Sequence, residues 1–243
     1  MVIARPHKHN ALRLGLLDEL REQLSRFAGE PGLKLAVLRG AGSQSFAAGG
    51  DLQELAEYRT AEQAGEMADR ARAALDAVRQ FPLPVIAALN GVALGGGAEL
   101  ALACDFRLAA AHAGIGFVQG RLGVTTAWGG GIDLTNRIGA AQALRLLCRA
   151  EVVPAAAALG IGLVDEVAEA DEPLDALVAR FSAPILRQPT QVLRGFKALA
   201  LGARQSAGYA ERVAQERADL IATWVHADHW AAAAKVLNGG VSD

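Results

Sequence analysis

The sequence predicts an α/β fold that gives way to a mostly helical C-terminal section. Three observations predict it. Short apolar runs alternate with helix-period stretches as far as Ala110, helical patterns dominate beyond Gly131, and two glycine-rich loops each follow an apolar run and precede a helix. With 243 residues and no internal repeat or low-complexity linker, the chain is expected to form one domain with an appendage. A core over residues 1–183 and a helical region over 184–243 are expected, with the seam near Asp171–Pro173 or Pro184–Pro189.

The elements follow in order. Leu12, Leu16, Leu20 and Leu24 recur every four residues, and Leu17 and Phe27 widen the stripe, so a helix is expected with Asn10 as its N-cap. Leu35 to Leu38 reads as a buried strand, and Gly40 to Gly50 as a loop whose one large side chain is Phe46. An amphipathic helix is expected from Glu62 to Gln80, stopped near Pro82 and Pro84. Val85 to Leu89 is a second buried strand, Asn90-Gly91 a turn, Ala98 to Cys104 a helix and Phe106 to Ala110 a third strand. Helices then follow at Ala140–Arg149, Pro154–Leu159, Leu174–Phe181, Gln191–Leu201 and Ala207–Trp224, with a short strand at Leu163–Val167.

Composition excludes several functions. Hydrophobic residues make up 52% and charged residues 21%, which rules out disorder. Lys and Arg number 24 against 26 Asp and Glu, with no basic block, so nucleic acid is not expected as a partner. The longest apolar run, Pro154 to Val164, is too short to span a membrane. The basic N-terminus leads into no hydrophobic block, so no signal peptide is read and a cytoplasmic location is expected. Cys104 and Cys148 form no CxxC pair and read as buried thiols. His226 and His229 flank Asp228 without a third ligand, so no metal is expected. His112 reads as solvated, and Arg204 to Arg217 as a mixed-charge helix face.

The chemistry points to the two loops, Phe46–Leu52 and Asn90–Leu100. Glycine lets backbone N–H groups approach a ligand, and a helix starting near Gly97 adds partial positive charge. Two such donors converging on one oxygen form an oxyanion hole. No GxxxxGK[ST] occurs, and Gly91-x-x-x-Gly95 has the wrong spacing for a dinucleotide fingerprint. Close helix–strand packing is the competing explanation of the same glycines.

The segments Phe46-Ala-Ala-Gly-Gly-Asp51, Pro84 to Leu100 and Ala103-Cys-Asp-Phe-Arg107, with Arg5-Pro6 and Asn10-Ala11-Leu12, resemble the enoyl-CoA hydratase/isomerase (crotonase) family. That resemblance implies a spiral of ββα units with a helical C-terminal trimerisation region. It further implies a coenzyme A thioester as substrate, a homotrimer or dimer of trimers, and no cofactor beyond the coenzyme A of the substrate. It assigns the oxyanion hole to the N–H groups of Gly50 and Gly96. Lys8, Ala11, Ala48, Asp51, Leu52 and Val92 are expected along the coenzyme A channel, and Val118, Leu122, Thr126 and Trp128 near the acyl group. Asp51 can equally be a plain helix cap, Thr126 a turn residue and Trp128 a packing aromatic. Only Met1 to Ala4 precede Arg5-Pro6, where family members carry a further strand and turn. The edge strand is therefore expected to be missing, or the start to be a downstream methionine.

Glu99 stands in the first turn of the second loop's helix, where an acid also simply complements the dipole. By resemblance it matches the first of two glutamates that handle water and protons in hydratases. The second position departs from the pattern: Ile115-Gly-Phe-Val-Gln119-Gly-Arg-Leu-Gly123 carries Gln119 where hydratases have glutamate. An amide cannot ionise, so water addition loses half its acid–base pair. A malonyl-type thioester brings its own carboxylate, and a neutral Gln119 does not repel it. The motifs Ala103 to Leu108, Gly123-x-x-x-x-Trp128-Gly-Gly130 and Gln191 to Gly195, with a likeness running to about Lys235, most resemble the ethylmalonyl-CoA decarboxylase branch of the family. Decarboxylation of ethylmalonyl- or methylmalonyl-CoA is the expected reaction. Hydration or isomerisation by Glu99 alone, and a non-catalytic acyl-CoA binding role, are the alternatives.

Overall fold

Each strand pair in the first half of the chain sends one strand to each of two sheets and then returns through a helix. The computed structural model describes residues 1–229 and 231–232, so Lys235 and the end of the expected helical region lie outside the described residues. In chain order the elements are β1 (Val2–Ile3), α1 (Leu14–Phe27), β2 (Ala36–Gly40), β3 (Ser45–Ala47), α2 (Leu52–Leu55), α3 (Ala61–Arg79), β4 (Val85–Leu89), β5 (Val92–Leu94), α4 (Gly96–Ala103), β6 (Phe106–Ala109) and β7 (Gly114–Gly116). They continue with α5 (Gly130–Ile138), α6 (Ala140–Arg149), β8 (Val153–Pro154), α7 (Ala155–Gly160), β9 (Glu166–Val167), α8 (Leu174–Leu186), α9 (Thr190–Arg204) and α10 (Tyr209–Trp224).

One sheet has the order β1-β2-β4-β6-β9, and all its pairs are parallel. The other has the order β3-β5-β7-β8, parallel except for β8. The pairs β2/β3, β4/β5 and β6/β7 are thus successive turns of one spiral. Central β4 is buried along its whole length, which explains its unbroken apolar sequence. Helices α1 and α3 bury Leu17, Leu20, Leu24, Ala71, Leu75 and Val78 in one core. Small residues let these layers approach closely. A Cβ on Gly91 would stand 2.2 Å from the Gln44 carbonyl carbon, so only glycine fits between β4 and β5.

Several expectations are corrected. Asn10 does not cap α1, whose N-cap is Arg13. With φ of 57°, its Nδ2 instead donates to the Ala41 and Ser45 carbonyls at 3.0 and 2.7 Å. The edge strand is present: Val2–Ile3 pairs with Arg39 and Gly40 of β2. The expected Gly40–Gly50 loop contains β3, and α5 begins directly on Gly130-Gly131. The 183/184 division falls inside α8, which runs through Pro184. Cys148 is exposed, whereas Cys104 is buried and its thiol is pushed up to about 12 by burial. His112 is not merely solvated, since its Nε2 lies 2.9 Å from the Ser43 carbonyl. Arg204 is not on an open face: it pairs with Asp133 at 2.8 Å. Among the described residues no helix is long and apolar enough to cross a membrane, and no cluster of three metal-ligating side chains occurs.

Candidate active site

The turn at residues 6–11 stitches the first glycine loop into place. Ala48 N–H donates to the His9 carbonyl at 3.0 Å, Leu12 N–H to Gly49 at 2.8 Å and Asp51 N–H to Leu12 at 2.9 Å. The Arg5 guanidinium hydrogen-bonds the Asp51 carboxyl at 2.8 Å and holds it below the usual carboxylate range. Asp51 also caps α2 by accepting the Gln53 N–H at 3.2 Å.

The second loop turns β5 into α4 at Gly95, where φ is 52° and the N–H donates to Gly116 at 2.9 Å. A Cβ on Gly97 would stand 2.0 Å from the Ala47 carbonyl oxygen, which seats α4 directly on β3. The two loops therefore meet: a Cβ on Gly49 would lie 3.6 Å from the Gly96 nitrogen. Among the described residues neither the Gly50 nor the Gly96 N–H donates to a protein acceptor. Gly96 is the first residue of α4, so its amide is one of the helix's free N-terminal donors.

One turn further on, Glu99 is only 2% exposed. Its Oε2 accepts the N–H groups of Trp128 and Gly130, both at 2.9 Å, and its Oε1 accepts Gln119 Nε2 at 2.9 Å. Burial raises its carboxyl above the ordinary value, against the pull of these three donors. Among the described residues, Gln119 Oε1 is buried without a hydrogen-bond partner.

The Trp128 ring lies against both glycines. A Cβ on Gly96 would be 2.1 Å from Trp128 Cζ3, and one on Gly50 would be 3.4 Å from Cη2 and 2.5 Å from Leu55 Cδ1. The Trp128 backbone is pinned from both sides. Its N–H binds Glu99, and its carbonyl accepts Arg79 Nη2 at 2.9 Å. Arg79 Nε donates to Asp133 at 2.9 Å, and Asp133 accepts Arg204 Nε at 2.8 Å.

Gly50, Gly96, Glu99, Gln119 and Trp128 thus form one contiguous cluster. Val118 is half-buried beside it, and half-buried Thr126 packs its Oγ1 against Gly131. Lys8 is exposed and donates to Gln53 Oε1 at 3.0 Å. The Ala11 carbonyl accepts Arg5 Nη1 at 2.8 Å. Leu52 and Leu122 are exposed, and Val92 sits at the start of β5, the end away from Gly96. Leu55, Arg79 and Asp133 carry no sequence signal of belonging here, because the contacts that recruit them cross long stretches of chain. The Asp76/Arg79 pair at helical spacing suggests only a surface ion pair. A cavity of about 440 Å³ lies elsewhere, at the C-terminal end of α4. Its charges are spent internally, as in Lys197–Asp105 at 2.5 Å and Arg107–Asp165 at 2.8 Å.

Two glycine loops that leave two amides without a protein acceptor beside a buried carboxyl are an arrangement able to bind an anionic oxygen. The profile described as Enoyl-CoA hydratase/isomerase matches residues 1–232, and the chain belongs to that family. It is 36% identical over 200 residues to a crotonyl-CoA hydratase of Syntrophomonas wolfei, covering 82% of this chain and 76% of the relative. It is 31% identical over 225 residues to an ethylmalonyl-CoA decarboxylase of Mus musculus, covering 92% of this chain and 69% of that one. The structure of an enoyl-CoA hydratase from Bacillus anthracis superposes with a TM-score of 0.90 at 30% identity, over 98% of this chain and 91% of the other. The fold is accordingly the crotonase fold, and the protein is an acyl-CoA enzyme of that superfamily.

Proposed function

We propose that the enzyme decarboxylates a short malonyl-type thioester, ethylmalonyl- or methylmalonyl-CoA, through an enolate. The observation that carries this reading is the 2.9 Å hydrogen bond from the Gln119 amide to Glu99, where a hydratase needs a second acid. The thioester oxygen accepts the Gly50 and Gly96 N–H groups. The bond between the α-carbon and the substrate carboxylate breaks, CO₂ leaves, and its electron pair passes to the α-carbon and on to the thioester oxygen. Each hole donor is worth about 3–4 kcal/mol of barrier. Protonated Glu99, favoured by burial, then gives its proton to the α-carbon and is recharged from solvent. The amides do the electronic work, so no cofactor is needed beyond the coenzyme A of the substrate.

A second reading, hydration or isomerisation of an enoyl-CoA with Glu99 as sole acid–base, is favoured by the hydratase names of relatives such as those from Syntrophomonas wolfei and Clostridium acetobutylicum. The exposed apolar side chains Leu220, Ile221 and Trp224 on α10 support assembly into a trimer or dimer of trimers. The unpaired thiols Cys104 and Cys148 support a reducing, cytoplasmic setting. The test is mass spectrometry of the purified protein with ethylmalonyl-, methylmalonyl-, crotonyl- and β,γ-enoyl-CoA. Loss of CO₂ from a malonyl-type thioester is expected. Hydration of crotonyl-CoA without any decarboxylation would overturn the first reading in favour of the second.

A further inference from the structure

We propose that the Trp128 indole is the wall that limits the acyl group to a short chain, making Trp128 a specificity-determining residue of this site. The inference rests on the reading of Gly50 and Gly96 as the thioester-binding pair. The six-membered edge of the ring covers Gly96 so closely that a Cβ there would meet Cζ3, Cη2 and Cε3 at 2.1, 2.6 and 2.8 Å. The same edge reaches Gly50, with Cη2 and Cζ2 at 3.4 and 3.6 Å from a Cβ placed there. Acyl carbons need roughly 3.5–4.0 Å from ring carbons. A chain leaving a carbonyl held by these two amides therefore meets the indole within its first few carbons.

The wall is built to stay put. Trp128 is 6% exposed, its N–H is held by Glu99 and its carbonyl by Arg79, which Asp133 and Asp76 hold in turn. Leu55 closes the Gly50 side. Because both anchors are main-chain groups, replacing the side chain removes the wall and leaves the Glu99 and Arg79 contacts available.

The test is calorimetric binding of acetyl-, butyryl-, hexanoyl- and octanoyl-CoA, saturated thioesters on which neither proposed reaction can run. Trp128→Ala and Trp128→Leu are compared with the unaltered protein, with thermal unfolding as a check on folding. The unaltered protein is expected to prefer the short thioesters. In Trp128→Ala the ratio of octanoyl to butyryl affinity is expected to rise roughly tenfold or more, the worth of even one methylene in a fitted pocket. Trp128→Leu is expected to fall between the two. An unchanged ratio in a folded variant, or a uniform loss at every length, would overturn the proposal and leave Trp128 a packing residue. Failure of the unaltered protein to bind any of these thioesters would instead overturn the thioester site itself.

Discussion

Gln119 Nε2 donates to Glu99 Oε1 at 2.9 Å, so an amide and not a second acid shares the buried carboxyl. Replacing it tests what the amide is for. Gln119→Glu sets two carboxyls against each other, so one of the two must keep a proton. Such a pair supplies the acid and the base of water addition. We expect the variant to gain crotonyl-CoA hydration and to lose decarboxylation of malonyl-type thioesters by at least about tenfold, through repulsion of the substrate carboxylate. Steady-state rates on both substrates measure this. No hydration in a folded variant would show that the pocket lacks room for the water.

The raised carboxyl of Glu99 has two pH signatures. Its folded-state value lies above the ordinary 4.5, so the folded chain binds this proton more tightly than the unfolded chain. Its stabilising contribution is therefore complete below about 4.5 and is lost as the pH rises through the raised value. The difference in unfolding free energy between the unaltered protein and Glu99→Gln should shrink over that window in chemical denaturation. A decarboxylation that drew its proton from Glu99 should slow across the same window. A hydration that used Glu99 as base would quicken.

Asp133 accepts Arg79 and Arg204 from opposite sides and is itself 6% exposed. Asp133→Asn leaves two guanidinium groups without their shared countercharge. A destabilisation of about 3–5 kcal/mol is expected, the usual cost of stripping one partner from a buried ion pair. Urea unfolding of the variant reads it directly.

Two glycines should respond in opposite directions to the same change. Gly97→Ala drives a methyl to 2.0 Å from the Ala47 carbonyl and must part α4 from β3, costing about 1–3 kcal/mol or more. Gly65 lies on the exposed face of α3 with nothing near its Cβ position, and Gly65→Ala should stabilise by about 0.5–1 kcal/mol. Melting temperatures of the two variants give the contrast.

Strand β4 was legible to the residue, because five consecutive apolar residues in the middle of a parallel sheet leave no polar position to blur the pattern. Strands β3, β5 and β7 were not, since runs of only three residues, Ser-Phe-Ala, Val-Ala-Leu and Gly-Ile-Gly, are too short to show a period. The glycine pair was visible as local grammar, strand to loop to helix. Trp128 could be marked only as either a pocket residue or a packing aromatic; its contact with both loops is a fact of packing. Arg79 was invisible as a member of the site. Its bonds to Trp128 and Asp133 join residues 49 and 54 positions apart, and nothing local announces them.

Arg204, the last residue of α9, donates to the carbonyls of Leu102 and Ala103 at the trailing end of α4, with the latter bond at 3.0 Å. The leading end of the same helix presents the Gly96 amide. A C-terminal helix is thereby wired to α4 and, through Asp133 and Arg79, to the loop above it. Fraying of α9 then does not stay local: the amides of α4 and of the 127–130 loop should exchange their hydrogens in one concerted opening with it, so that the C-terminal helix and the site form a single cooperative unit.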